Sequence, residues 1–194
     1  SVADQESETK PGASFVFLPG TIQASEYGTK VHELFESTPW IDALGPNELE
    51  DTLASNIDEA DEVEISAMQE VLKNLNTDPV SSIFRKSSFP LNPIAWLEKR
   101  FELIDEGKWI SGTFDRVVVQ QDEKQRATTA DVYDFKTNKV SSQEEVDEAC
   151  AHYAPQLAIY RLALSRLLGI PEQEVRSHLV FTRLAKVVEV EQPF

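Results

Sequence analysis

Apolar residues recur first at helical and later at alternating spacing, which divides the chain into two textures. Residues 1–14 carry neither period and read as a disordered polar lead-in. Phe15 to Leu18 is a short apolar piece closed by Pro19-Gly20. Val31, Leu34 and Phe35 then recur at helical spacing and predict a helix over about Glu26–Glu36, with Thr21 or Ser25 as its cap and Pro39 as its stop. Helical periodicity with an acidic outer face continues over 40–76, interrupted by Gly45-Pro46. This stretch reads as a helical insertion or cap, running to about residue 88, with no visible chemistry of its own.

The texture changes at Pro90–Pro93. Strands are predicted over Trp96–Ile104 and Trp109–Gln120, joined by a turn at Glu106-Gly107. A polar loop of roughly eight residues, Gln121–Thr128, leads to a third strand over about Ala130–Lys136. A long helix follows over Gln143–Leu168, capped by Ser141 or Ser142, with Glu144 and Glu145 in its first turn and Gly169 and Pro171 at its end. Ser177–Leu184 and Val187–Glu191 read as closing strands. Helices, three strands, a helix and two strands, with no internal repeat, predict a mixed α/β sandwich.

Composition narrows the setting. The chain has 194 residues, of which 41% are hydrophobic, enough for one domain with a core. No apolar run reaches the length of a transmembrane helix and the opening stretch shows no secretory pattern, while a single cysteine fits a reducing, cytoplasmic compartment, which is the expected location. The lone Cys150 allows neither an internal disulfide nor a four-cysteine iron–sulfur cluster. A formal charge of −16 runs against the basic footprint of most nucleic-acid binders. Part of the excess is local, because Asn47 to Glu70 holds nine Asp or Glu and no Lys or Arg. Such a run is ordinarily a solvated helix face, and it is also a surface that meets a basic partner.

Candidate chemistry lies in the second and third strands. Side chains alternate along a strand, so Asp134 and Lys136 share one face while Tyr133 and Phe135 take the other. Asp115 interrupts the otherwise β-forming run Ser111 to Val117, against its own poor strand propensity. If the two strands pair as a hairpin, Asp115 faces Asp134. Two carboxylates so placed repel one another unless a cation or proton lies between them. Few oxygen ligands suit Mg²⁺, which takes the rest of its shell from water and phosphate. A lysine beside them would orient or deprotonate an attacking water. Taken alone, an Asp-x-Lys triplet is no more than a surface ion pair.

Five segments in register resemble the motifs of one family. Gly28-Thr29-Lys30-Val31-His32-Glu33 is similar to an opening G-T-x-x-H helix, and Glu98-Lys99-Arg100-Phe101 to an E-x-x-F strand. Gly112-Thr113-Phe114-Asp115-Arg116 resembles G-x-I-D-R, and Asp134-Phe135-Lys136-Thr137 resembles D-Y-K-T. Tyr153 to Arg161 resembles the Y-x-x-Q-L-x-x-Y helix. Together, from Gly28 to about Leu184 apart from the acidic stretch, they resemble the nuclease domain of the RecB and AddA helicase-nucleases, the C-terminal domain of UvrD/Rep-like enzymes and a branch of the PD-(D/E)XK superfamily.

The resemblance implies a restriction-endonuclease-like three-layer α/β core over residues 15–194, a mixed sheet flanked by helices with the helical insertion at about 40–88. It implies His32, Asp115, Asp134 and the backbone carbonyl of Phe135 as ligands to Mg²⁺ or Mn²⁺, and Lys136 as the catalytic lysine. Gln156 and Tyr160, with Tyr153 on the same helix face, are placed at the rim of the site, and Glu98 behind the ligands or on another metal. The implied activity is metal-dependent DNA hydrolysis of an exonuclease type in double-strand break repair or recombination. Its substrate would be single strands delivered by a helicase motor, which must lie elsewhere because the chain has no Walker A motif. Arg116 and Lys139 are candidate phosphate contacts; His152 and His178 have no motif behind them. A second reading keeps the fold as a catalytically silent module that docks on a helicase or another protein partner through the acidic 47–70 surface. A third, a Mg²⁺-dependent phosphatase, would leave the Gln156 and Tyr160 face unexplained.

Overall fold

The computed structural model describes residues 15–17 and 26–191. The predicted lead-in, the Pro19-Gly20 stop, the caps Thr21 and Ser25 and residues 192–194 lie outside them. The described elements run β1 (Phe15–Phe17), α1 (Glu26–Glu36), α2 (Pro46–Ala54), α3 (Glu62–Leu75), β2 (Asn92–Asp105), β3 (Lys108–Gln121), β4 (Ala127–Lys136), α4 (Gln143–Leu168), β5 (Val175–Phe181) and β6 (Lys186–Glu189). Short 3₁₀ turns occupy Ser81–Phe84, Lys86–Ser88, Glu172–Glu174 and Thr182–Leu184.

Local chemistry sets the boundaries. Asp61 caps α3 by accepting from the N–H groups of Val63 and Glu64. Ser142 caps α4 by accepting from Glu145 N–H, and Gly169 closes that helix at a φ of 67°. Gly45-Pro46 is a helix start, with Pro46 in the first turn of α2. Glu106 and Gly107 both take positive φ, 47° and 77°, which makes the β2–β3 turn a tight two-residue hairpin. Three expectations need correction. The β3–β4 loop spans 122–126 because both strands run further than apolar alternation indicates. The expected strand Ser177–Leu184 begins at Val175 and ends at Phe181, since Thr182–Leu184 turn in a 3₁₀ coil. The last strand stops at Glu189.

The sheet is mixed, in the order β1-β3-β4-β5-β6, with β2 on the other edge of β3. β2, β3 and β4 are antiparallel, β4 and β5 parallel, β5 and β6 antiparallel. One face buries Val118, Tyr133, Phe135 and Val180 against α1, α3 and the Ser81–Phe84 turn. The other buries Val117, Val119, Val132 and Leu179 against α4. This is the three-layer α/β architecture expected from the motifs.

Two departures from a regular ladder prepare the site. First, Leu97 pairs with Arg116 and Lys99 with Phe114, but no pair forms between them at Glu98 and Asp115. Glu98 holds a φ of 43°, a left-handed conformation uncommon for a residue with a side chain. Across this break the residues meeting α4 change from Ile94 and Trp96 to Phe101 and Leu103 on β2, and from Val117 and Val119 to Phe114 and Ile110 on β3. Second, the β3–β4 ladder stops at Arg116↔Tyr133, while β1 takes the same edge of β3 only at Trp109–Ser111. Asp115 therefore sits where the strands fork.

Arg116, expected as a phosphate contact, is instead buried to 1% exposure. Its Nε donates to Ile83 O (3.1 Å), Nη1 to Thr38 O (3.3 Å) and Nη2 to Pro39 O (2.7 Å). The guanidinium lies 4.1 Å over the Phe84 ring and 5.0 Å over Trp40. Burial lowers its pKa to about 9, which still leaves it charged at neutral pH. It ties the end of α1 and the Ser81–Phe84 turn to the sheet beside Asp115. Replacing Arg116 with Met keeps much of the packing and strands the carbonyls. The expected loss is about 3 kcal/mol, read as a lower urea midpoint; a midpoint equal to wild type would contradict the clamp.

Candidate active site

Asp115 is the centre of the constellation. Its Oδ2 accepts from the backbone N–H of Phe135 at 2.8 Å, so the carboxylate fills the fork where the β3–β4 ladder ends. His32, projecting from α1, brings Nδ1 to 3.6 Å from the same oxygen. Glu98 arrives from the broken position of β2. One ligand atom from each of His32, Glu98 and Asp115 lies within 4.8 Å of the others. Two carboxylates and an imidazole at this spacing fit a divalent cation such as Mg²⁺ or Mn²⁺.

Asp134 stands beside this trio on β4, with its Oδ2 2.5 Å from Lys136 Nζ. The electrostatics record the crowding. Asp115 is raised to about 6, by burial first and by Asp134 second, with His32, the Phe135 N–H and Lys136 opposing. Glu98 is raised to about 7, again by burial first, then by Asp115, Glu36 and Asp134. Burial pulls Lys136 down, but Asp134 and Asp115 outweigh it and the net shift is upward. Its Nζ also lies 3.9 Å over the Tyr153 ring. Lys136 is thus an ammonium clamped between a carboxylate and an aromatic face.

The helix motif reaches the site indirectly. Gln156 Nε2 donates to Tyr160 Oη at 2.8 Å, and that hydroxyl donates to the carbonyl of Thr113 at 2.8 Å. Burial, with Asp134 and Asp115 adding to it, raises the Tyr160 pKa, so the phenol stays protonated and keeps donating. The ring packs edge-on to Phe101 and Phe114. Tyr160 therefore fixes β3 two residues before Asp115. Of Phe135, the amide serves Asp115 while the ring stacks on Phe35 at 4.4 Å and meets His32 edge-on.

Of the residues read from sequence, the structure brings His32, Glu98 and Asp115 to one point, sets Asp134 and Lys136 as a pair beside them, and places Tyr153 under Lys136. Glu98 stands closer to the centre than its motif implies, because the backbone break at that position turns it inward. His152 packs on Tyr153. His178 is buried against Asp131 at 2.9 Å, and Asp131 also holds Arg176 at 2.8 Å. Sequence reasoning passed over Asp131. Its one legible signal is parity, since Asp131 shares the Tyr133 and Phe135 face of β4 and so needs a buried partner.

Comparison with known proteins bears on the family. The family model described as the PD-(D/E)XK nuclease superfamily matches residues 12–193. An ATP-dependent helicase/nuclease protein of Limosilactobacillus fermentum (strain NBRC 3956 / LMG 18251) is 32% identical over 87 residues, which cover 43% of this chain and 6% of that protein. The chain thus spans a small part of that relative.

The crowded carboxylates give a pH test. A carboxyl raised in the folded state keeps its proton where the unfolded chain has lost it, so its contribution favours folding at low pH. That advantage is lost as pH rises from about 4 through about 6, the range opened by Asp115. Asp115→Asn preserves an acceptor for Phe135 N–H and removes the charge. In chelator, melting should show the variant gaining on the order of 2 kcal/mol over wild type at pH 7.5 relative to pH 4.5. An equal difference at both pH values would refute the crowding.

Proposed function

Because the chain belongs to the PD-(D/E)XK nuclease superfamily, we propose that it is the nuclease domain of a RecB/AddA-like helicase-nuclease. In this reading it hydrolyses DNA phosphodiester bonds, exonuclease-type, with Mg²⁺ or Mn²⁺, in double-strand break repair or recombination in the cytoplasm. The observation that carries the reading is the convergence of His32, Glu98 and Asp115 next to the Asp134–Lys136 pair. The first three residues would hold the ion, with Asp134 and the carbonyl of Phe135 as the further ligands implied by the motif resemblance. A divalent ion held there supplies Lewis-acid polarisation of a phosphodiester and a bound water of lowered pKa.

The chain's own residues do the rest. The Lys136 ammonium, kept charged by Asp134, offers positive charge and N–H donors to phosphoryl oxygens as negative charge grows on them. Tyr153 beneath it restricts where that charge points. Tyr160 and Gln156 act one step back, by holding the Thr113 carbonyl and so the strand that carries Asp115.

The DNA would arrive as single strands from a helicase motor in the same polypeptide or complex. The relative carries both helicase and nuclease in its name, and this chain covers 6% of it. Tethering to a motor gives DNA at high effective concentration, so a domain of charge −16 needs little affinity of its own. The acidic helices favour a second reading, a silent module docked on a partner.

The deciding experiment is cleavage of labelled single-stranded DNA with Mg²⁺ or Mn²⁺, beside Asp134→Ala and Lys136→Ala. Both variants should lose about a hundredfold or more, with Mn²⁺ binding retained in Lys136→Ala and weakened in His32→Ala. Cleavage that survives both substitutions would remove this site from the reaction. Metal binding without cleavage would mean an intact site that awaits its motor, and no metal binding at all would favour the docked module.

A further inference from the structure

We propose that the acidic helical segment positions Lys136: Asn74 and Glu70 of α3 hold the turn after β5, and that turn holds the backbone on which Lys136 stands. The proposal rests on the reading of Lys136 as the cation at the reacting phosphate. It concerns residues 62–75, in which the amino-acid sequence shows no chemistry.

β4 ends at Lys136, where the chain leaves the sheet. The carbonyls at this end are taken by the Thr182–Leu184 turn. Thr182 Oγ1 donates to Lys136 O at 3.2 Å, and Arg183 Nε donates to Thr137 O at 3.4 Å. Both donors are themselves held from α3. Asn74 Nδ2 donates to Thr182 O at 2.8 Å and to Glu70 O at 2.8 Å. Arg183 Nη1 lies 3.3 Å from Glu70 Oε2, and its guanidinium lies 4.2 Å over the Tyr27 ring. Tyr27 donates its hydroxyl to the same Glu70 oxygen.

Attachment of α3 to the core does not require these bonds. Ala67, Val71 and Leu75, all fully buried, already supply an apolar seam. Asn74 is fully buried beside them, and burying an amide is costly unless it is hydrogen-bonded: its Nδ2 meets two carbonyls, while its Oδ1 has no hydrogen-bond partner among the described residues. Asn74 and Glu70 reach two consecutive carbonyls, those of Lys136 and Thr137, through Thr182 and Arg183 respectively. The Lys136 ammonium needs this accuracy, because it must sit at once against Asp134 and over Tyr153. A displacement of about 1 Å at a reacting group is enough to cost large factors in rate. Thr182, Arg183, Asn74 and Glu70 are positioning residues, acting through the backbone of Lys136.

Thr182 permits a clean test. Thr182→Val keeps the shape and removes the hydroxyl, whereas Thr182→Ser keeps the hydroxyl and removes a methyl group. Arg183→Gln, at a partly exposed position, is the second probe. Three quantities are read on the whole chain: acylation of the Lys136 amine in the native protein by mass spectrometry, the cleavage parameters kcat and KM, and Mn²⁺ affinity. In Thr182→Val, Lys136 should be labelled several-fold faster and kcat should fall about tenfold, with KM and Mn²⁺ affinity at wild-type values. Arg183→Gln should move the same way, and Thr182→Ser should restore both quantities. Wild-type labelling in the Val and Gln variants, or a Ser variant as disturbed as Val, overturns the proposal. If wild type binds Mn²⁺ but does not cleave DNA without its motor, the labelling rates alone decide the positioning; if it binds no Mn²⁺, the functional reading falls and the labelling rates still decide the positioning.

Discussion

Glu98, Asp115 and Asp134 bring three carboxylates into one partly buried notch, and mutual repulsion among them is the constraint that the surrounding structure has to answer. The fold answers it locally. Asp115 is held by a backbone N–H in the fork between β3 and β4, Asp134 by Lys136, and an imidazole approaches from α1. The strands cannot remain regularly paired and also deliver these groups. The unpaired position at Glu98 and Asp115, the positive φ of Glu98 and the early end of the β3–β4 ladder all follow from that conflict. Carboxylates placed at a break in a sheet are close enough to share a cation on a backbone held by its neighbours.

The elements easiest to read were those whose ends carry their own chemistry. α1 and α4 span the residues expected from apolar spacing, and α4 is bounded by Ser142 and Gly169. Strand limits were less legible. Thr182–Leu184 adjoins the apolar run Leu179-Val180-Phe181, and its turn is closed by Ala185 N–H on Thr182 O and held by hydrogen bonds from Asn74 and to Lys136. The candidate residues were visible because motifs mark them, but their spatial relations were not. Nothing adjacent to Glu98 in sequence encodes the φ of 43° that turns it toward Asp115. Arg116 looks like any exposed base until the carbonyls of Thr38, Pro39 and Ile83, distant in sequence, close around it.

The helical segment between α1 and β2 illustrates how an acidic surface and bonds that lead to the candidate site can share one helix. The outward face of α3 carries charge, of which Glu64 is partly spent on Lys30. Its inward face alternates apolar residues with Asn74 and Glu70, and these two reach the end of β4 through a single turn. The segment is therefore joined to the site at two depths, through hydrophobic contact with the sheet and through directed bonds near Lys136. A partner that gripped the acidic face would be pulling on the element that sets the lysine.

Arg116 joins the same segment to the sheet in a different way, since each of its hydrogen bonds ends on a main-chain oxygen. Main-chain oxygens are supplied by every residue type. The side chains at Thr38, Pro39 and Ile83 are thus free of any duty to that cation so long as the backbone keeps its course. Attachment of this kind is blind to spelling. It lets the residues that meet this anchor vary in side chain while the aspartate next to Arg116 stays where it was.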